Sequence, residues 1–409
     1  MTRQTRKNFT VQQIVTALEQ NQGHIPKAAK DLSALGKGTV SRQLLNHWVH
    51  TLDEHDTAPD IDETGDDVSF DHAHAKLVLK ATNLANSNSL LRKENKALAA
   101  EVLLEDGLLR EIAERIGCLK LEPTEPIKQN LGGKRITAEL LLSDWQIGKL
   151  TPDYSTPIAL RRLQTLSRAT LFQIRQKITA GYNVERCVIA MIGDIIESDK
   201  KHSNSGRATD IGTAEQTATA ITALFEYLIV PIGQLGIPVD VVCVTGNHDH
   251  DDHGMMQYQA GKEHLSYILY KSLELLAKTV KLDNIKFIIP RGSFTVIDFY
   301  GQKALYEHGV GVSVTETSMR MHKAKRTDQL KQYITYFRMG DKHTVTTFNS
   351  GQYVVNGAFF GTDSEGAEYS SMAGYSSVAA QWLGFHVARP DNGLLSLYDS
   401  FTIQLGHVK

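Results

Sequence analysis

From about residue 134 onward, short uninterrupted apolar runs end abruptly in polar residues: ITAELLLSDWQIG, VERCVIAMIGDIIESD and PVDVVCVTGNHD. Runs of this length predict strands buried on both faces, and amphipathic stretches such as ALRRLQTLSRATLFQIRQKI between them predict helices. The alternation is that of βα units, whose functional side chains collect at the carboxyl ends of strands. Asp144, Asp194 and Asn247 each stand at such an end. A buried strand that runs into a carboxylate or an amide needs partners or a task for it.

The first 50 residues carry a different pattern. In VQQIVTALEQNQGHIPKAAKDLSALGKGTVSRQLLNHWV, apolar residues recur at helical spacing, broken by Gly23 and Pro26 and again near Gly36 and Gly38, which predicts three short helices. The set Ile14, Ala17 and Leu18, then Ala28, Ala29 and Leu32, then GTVSRQLL resembles a helix-turn-helix of the Fis type, with a turn about two residues longer and Thr39 to Trp48 as recognition helix. That resemblance implies DNA contacts from Lys37, Thr39, Ser41, Arg42 and Gln43, the cations on phosphates and the amide on a base edge. A small helical adaptor with a solvated basic face fits the same pattern.

Charge marks the next boundary. Residues 1–50 hold seven Lys and Arg against Glu19 and Asp31, whereas residues 51–75 hold nine acids and no Lys or Arg. The acidic stretch repels itself and has few apolar side chains, so it reads as a solvated linker. Over 76–118 a longer helix is expected. Leu77, Leu84, Leu91 and Leu98 repeat with Ala81, Asn88, Asn95 and Val102 at the complementary positions. Leu at one core position and Asn at the other suits a parallel two-stranded coiled coil, hence a homodimer through residues 77–102. A single helix lying on the following domain is the other reading.

Composition narrows the setting. The 409 residues are 41% hydrophobic and 22% charged with a net charge of −2, enough for a large core in more than one folding unit. The basic start is followed by no apolar segment, and no run of about eighteen apolar residues occurs, so a cytoplasmic protein without membrane insertion is expected. Cys118, Cys187 and Cys243 are an odd number, and the last two, inside apolar strand-like runs, read as reduced buried thiols.

Five short motifs then fall in order: DWQ at 144–146, GDIIE at 193–197, GNHD at 246–249, EHG at 307–309 and GDKH at 340–343. Together they resemble the motifs of the calcineurin-like metallophosphoesterases, over about residues 136–358, and a nuclease-like branch of that family such as phage or mobile elements carry. The resemblance implies an α/β (α+β) domain over 134–409, a β-sandwich flanked by helices, preceded by the all-α helix-turn-helix and the coiled-coil helix. It also implies two divalent metal ions, with Asp144, Gln146, Asp194 and His343 around one, and Asp194, Asn247, His308 and Asp341 around the other. Such a pair neutralises a phosphate and activates water for in-line attack. Gln146 stands where the family commonly has His, which favours Mn or Mg over Zn, and Asp341 stands where the first His of the last motif is usual. His248 would protonate the leaving oxygen or stabilise charge on phosphorus, with Asp249 as its orienting carboxylate.

The substrate is read from the loops. Lys200, Lys201 and Arg207 follow the second motif, and Lys323, Lys325 and Arg326 precede the last. Cations flanking the cleft would hold a polyanionic strand, with Tyr333, Tyr336 and Phe337 either as stacking surfaces or, as is commoner at this spacing, as core. Glu197 and Asp199 could touch substrate or the partner of a metal ligand, but like the tract His250 to His253 they read first as exposed loop residues. The expectation is a two-metal phosphodiesterase acting on nucleic acid, foremost a DNA nuclease. A phosphatase or phosphodiesterase on small nucleotides, and a DNA-binding regulatory or assembly protein with an inactive phosphoesterase domain, are the alternatives.

Overall fold

The computed structural model describes residues 9, 11–21, 24–35, 40–41, 43–45, 91–92, 128–199, 208–249, 264–361, 378–388 and 394–409. The acidic segment 51–75 and, apart from Leu91 and Arg92, the heptad segment 76–118 lie outside these residues, as do Lys37, Thr39, Arg42, Lys200, Lys201, Arg207 and the tract 250–253. The chain divides into two compact units, Met1–Leu103 and Leu104–Lys409.

In the first unit, helices α1 (Val11–Gln20) and α2 (Ile25–Ala34) place their periodic apolar residues in one small core: Ile14, Leu18, Ala28 and Leu32 are buried with Val40 and Leu45. His24 caps α2, its Nδ1 accepting from Lys27 N at 3.4 Å, and Pro26 sits in the first turn, where a missing N–H costs nothing. Residues 43–45 are helical, and Ser41 Oγ accepts from Leu44 N at 3.1 Å. Ser41 therefore caps that helical segment with the hydroxyl that the resemblance turns toward DNA. Gln43 is exposed.

The second unit has two sheets. The first holds β1 (Lys134–Leu142), β2 (Tyr182–Ile192), β3 (Val239–Val244), β4 (Ile285–Ile288), β10 (Ala380–Val387) and β11 (Leu397–Gln404), in the order β11-β10-β1-β2-β3-β4. β1 to β4 run parallel, and β10 and β11 close the edge antiparallel. The second sheet has the order β5-β6-β7-β9-β8, from β5 (Phe294–Phe299), β6 (Gln302–Glu307), β7 (Tyr336–Met339), β8 (Thr346–Phe348) and β9 (Tyr353–Val355). Crossovers of the first sheet supply α3 (Thr156–Thr179), α4 (Thr213–Leu224), a π turn (Phe225–Ile229) leading into α5 (Val230–Gly233), and α6 (Leu265–Thr279); α7 (Glu316–Leu330) belongs to the second sheet. No helix among the described residues is long and apolar enough to cross a membrane.

Strand alternation sorts the side chains into layers. In β3, Val239, Val241 and Cys243 face the helices while Val242 and Val244 face the other sheet. Between the sheets, Leu141, Val188, Ala190 and Ile192 meet Phe299, Ala304, Tyr306, Tyr336 and Val354. The outer face of the second sheet packs Leu305, Phe337 and Met339 against Met319 of α7. The result is a sandwich with helices outside. Tyr336 and Phe337 are thus core residues of a strand, whereas Tyr333 is 76% exposed. Cys187 and Cys243 are buried free thiols.

One ionic group interrupts this apolar interface. Glu139 of β1 accepts from Arg338 of β7 at 2.9 and 3.1 Å, from Tyr306 Oη of β6 at 2.6 Å, and pairs with His386 Nε2 of β10 at 2.8 Å. Burial pushes the Glu139 carboxyl up, but Arg338 and His386 more than reverse this and hold it at about 2. A depressed carboxyl contributes stability that is complete above its ordinary value of 4.5 and is lost as pH falls toward 2. Glu139→Gln, which strands a buried guanidinium, should cost about 3–5 kcal/mol at neutral pH. In denaturant titrations the gap between wild type and this variant should narrow steadily below about pH 4.5.

Candidate metal centre

The parallel pairing of β1 with β2 continues past the strand ends and delivers the first two carboxylates side by side. Asp144 N donates to Gly193 O at 3.1 Å, Gln146 N to Asp194 O at 2.9 Å and Ile147 N to Ile195 O at 3.0 Å. The backbone then turns through the left-handed region at Asp144 (φ 52°), Gln146 (φ 42°) and Asp194 (φ 53°), and again at Asp341 (φ 64°) and His343 (φ 58°) after β7. Non-glycine residues rarely adopt this conformation, and such strain collects where side-chain direction matters more than backbone comfort.

Two glycines make the approach possible. A Cβ on Gly246 would overlap Asp194 Oδ1, and one on Gly193 (φ 95°) would lie 2.6 Å from His308 Nδ1. The glycines of the second and third motifs are therefore spaces into which a carboxylate and an imidazole fit.

Asp144, Asp194 and His308 come together, all three buried, with one ligand atom from each within 4.8 Å of the others. His308 Nδ1 lies 2.8 Å from Ile192 O, which fixes the ring and turns Nε2 inward, 3.1 Å from Asp194 Oδ2 and 3.8 Å from Asp341 Oδ1. His343 Nε2 is 3.4 Å from Asp144 Oδ1, and Asp341 N donates to Asp144 Oδ2 at 3.1 Å. Gln146 Nε2 donates to Asp194 Oδ2 at 3.4 Å. Asn247 lies half-buried in the turn after β3. Both sheets contribute: Asp144, Asp194 and Asn247 follow strands of the first, His308 and the pair Asp341 and His343 follow strands of the second.

The charged groups of the site act strongly on one another. Burial alone would raise the Asp194 carboxyl, but facing His308 and His248 holds it well below the usual range. Burial likewise works against a charged His308, yet Asp194, Asp144 and Asp341 push it well above the ordinary imidazole value. Asp144 Oδ1 and Gln146 Oε1 are buried with no hydrogen-bond partner among the described residues. Buried acceptors of this kind, hard oxygens beside an oriented imidazole nitrogen, suit a divalent cation.

His248 and Asp249 do not form the pair that the sequence suggests. Asp249 is fully buried and accepts from the backbone N–H groups of Asp194, Ile195, Ile196 and Gly246, at 2.9, 2.7, 3.3 and 2.7 Å. Its carboxylate shapes both loops and is consumed in doing so; burial and the nearby Asp194 charge raise it to about 6. The carboxylate that meets His248 belongs to Glu197. His248 Nδ1 lies 3.0 Å from the Glu197 carbonyl and 3.5 Å from its Oε2, while Lys149 Nζ is 3.5 Å from Oε1. Lys149 also lies over the Phe360 ring, whose edge meets His343. The sequence held one signal for Glu197: Ile195 and Ile196, both fully buried, keep that segment inside where an exposed loop would not hold them.

The cations of α7 divide. Arg326 ion-pairs with the buried Glu307 and lies over the Phe294 ring, and Lys323 donates to Thr335 O at 3.1 Å and covers Tyr353. These two serve the protein's own interior instead of a substrate strand. Exposed on α7 are Arg320 and Lys325 together with Glu316 and Asp328, so the helix shows solvent no excess of positive charge. Asp199 pairs with Thr213 at the start of α4.

Added Mn²⁺ or Zn²⁺ should raise the melting temperature of metal-stripped protein, by the equivalent of about 2.7 kcal/mol at a hundredfold excess over Kd. Asp194→Asn should abolish that rise, as should Gly246→Ala, whose methyl displaces the same carboxylate; differential scanning calorimetry reads both.

No protein-family model matches the chain, and no curated protein matches it. Solved structures do. The chain is similar to a Vps29 single mutant from Entamoeba histolytica (12% identity, TM-score 0.28, 65% of this chain and 98% of that one) and to wild-type Vps29 of that organism complexed with zinc (11%, 0.25, 66% and 99%). It is similar too to an archaeal phosphodiesterase (10%, 0.28, 65% and 99%). At these identities and scores the reading of the site rests on its own geometry.

Proposed function

We propose that this chain is a divalent-metal-dependent phosphoester hydrolase of the calcineurin-like kind, with the phosphodiester bonds of nucleic acid as its substrate. The observation that carries the reading is the buried meeting of Asp144, Asp194 and His308 from strand ends of both sheets, in the order the five motifs set.

The buried group of Asp144, Asp194 and His308 fits a divalent ion, and the residues around it would serve a pair. Asp144, Gln146, Asp194 and His343 would hold one, and Asp194, Asn247, His308 and Asp341 the other, with Asp194 between them. When bound, such ions supply charge neutralisation of the phosphoryl oxygens and a nucleophilic water near neutral pH. The protein does the rest. Asp194 is fixed by the backbone N–H of His248 at 2.8 Å, so the loop that carries His248 is set relative to that carboxylate. The His248 ring is turned by Glu197 at Nδ1, leaving Nε2 as the atom to pass a proton to the leaving oxygen. Lys149 holds Glu197 from the other side, its Nζ 3.5 Å from Oε1.

Nucleic acid as substrate is supported by the basic N-terminal fifty residues and by the helical pair α1 and α2. The inward-facing Lys323 and Arg326 favour the second reading, a phosphodiesterase for small nucleotides, because they take two cations from the cleft's expected rim.

A panel of labelled single- and double-stranded DNA, RNA and bis(p-nitrophenyl) phosphate, run with Mn²⁺ and with Mg²⁺, separates these. The proposal expects metal-dependent cleavage of DNA, lost by a factor of about 10² to 10⁴ in His248→Ala and reduced in Glu197→Gln mainly in kcat. Turnover of the small diester with inert DNA would establish the second reading. No turnover of any phosphoester by protein that binds the ion would end both.

A further inference from the structure

We propose that Glu139 is a positioning residue for the metal centre: its buried clamp on Tyr306, Arg338 and His386 sets the register between the two sheets that brings their ligands together. The inference rests on the metal-centre reading given above.

The chain positions make the case. Glu139 lies on β1, five residues before Asp144. Tyr306 lies on β6, two residues before His308, and Arg338 on β7, three residues before Asp341. One carboxylate thus grips each strand of the second sheet that leads to a candidate ligand, from the strand of the first sheet that leads to Asp144. His386 of β10 completes the grip, and its Nδ1 continues through Ser396 Oγ at 2.8 Å to Tyr336 Oη at 2.9 Å, back on β7. Glu139, Tyr306, Arg338 and His386 are all fully buried.

Why use charge here? The surrounding interface is apolar, and apolar attraction has no direction, so side chains there can repack into a neighbouring register in a way that polar bonds cannot. A carboxylate met by a guanidinium and a phenol loses several directional bonds over the same shift, with no water to replace them. Arg338 is itself held from all sides: it donates to Gly351 O at 2.9 Å and lies over the rings of Tyr336 and Trp382. His386 stacks on Phe299 of β5, 3.9 Å between ring centres. Arg338 of the second sheet against Trp382, and His386 of the first against Phe299, each touch the opposite sheet, so a slide breaks contacts at both. Ligand atoms for an ion must be placed within about 0.5 Å, which an apolar contact alone does not enforce.

The test uses the full chain. Glu139→Leu combined with Arg338→Met replaces the ion pair by apolar groups, and Tyr306→Phe removes a single bond. Leu163→Ala, a core change on the helical side of the first sheet, is the control for destabilisation in general. Mn²⁺ affinity is measured by calorimetry, and crystal structures of wild type and variants give the separations among Asp144, Asp194 and His308. The clamp predicts a double variant that binds Mn²⁺ at least tenfold more weakly and whose ligand atoms separate beyond the 4.8 Å seen here. Tyr306→Phe should move both readouts in the same direction by less, and Leu163→Ala should move neither.

Unchanged affinity and unchanged separations in a folded double variant overturn the proposal. So does an equal loss in Leu163→Ala. If the double variant does not fold, Tyr306→Phe decides by the same criteria. Should wild type bind no ion, the metal-centre reading fails, and the separations in the variant structures still judge the clamp.

Discussion

Two buried carboxylates, Asp144 and Asp194, facing one buried imidazole are the constraint around which this fold is arranged, with the half-buried Asp341 beside them paired to Lys342. Asp144, Asp194 and Asp341 converge on His308, and the imidazole is held well above its ordinary pKa by their combined charge. Charge of one sign does not gather in a protein interior without a counter-charge, because desolvation and mutual repulsion both oppose it. The backbone shares the load. Five candidate ligands occupy the left-handed region, each at a cost of about 1–2 kcal/mol, and their sum is comparable with the net stability of a typical domain. Such a site persists because the surrounding structure holds it in place.

Three devices do so. β1 and β2 keep pairing beyond their ends, so Asp144 and Asp194 arrive together. Asp249 gathers four backbone N–H groups from two loops and sacrifices its own reactivity to do it. The glycines at 193 and 246 leave room for His308 and Asp194. Strand order places the parallel ends of the first sheet beside β6 and β7 of the second, which is why residues over 190 positions apart, such as Asp144 and Asp341, form a hydrogen bond.

How much of this the sequence disclosed follows from the range of each interaction. Strand ends were legible because apolar runs stop at Asp144, Asp194 and Asn247, and the period of the pattern is local. The sandwich was expected only through the resemblance that the ordered motifs carry, and the same motif order named His308, Asp341 and His343 as their company. Partnerships across the fold were not legible. Asp249 follows His248 directly, which invites a pair, but adjacent residues on a tight turn point apart, and the chain returns Glu197 to the imidazole instead. Glu139 reads as an unremarkable polar residue in a strand, since its partners Arg338 and His386 lie 199 and 247 residues away. On α7 a run of cations reads as a surface, yet helical geometry turns Arg326 toward Glu307 and Lys323 toward Tyr353.

The central claim is that these strand ends form a cation site, and anomalous diffraction from manganese-soaked crystals tests it most directly. The account predicts strong peaks bounded by Asp144, Asp194 and His308, with Asp194 touching each ion if two are present. An anomalous map with no peak at that place in fully soaked crystals would contradict it.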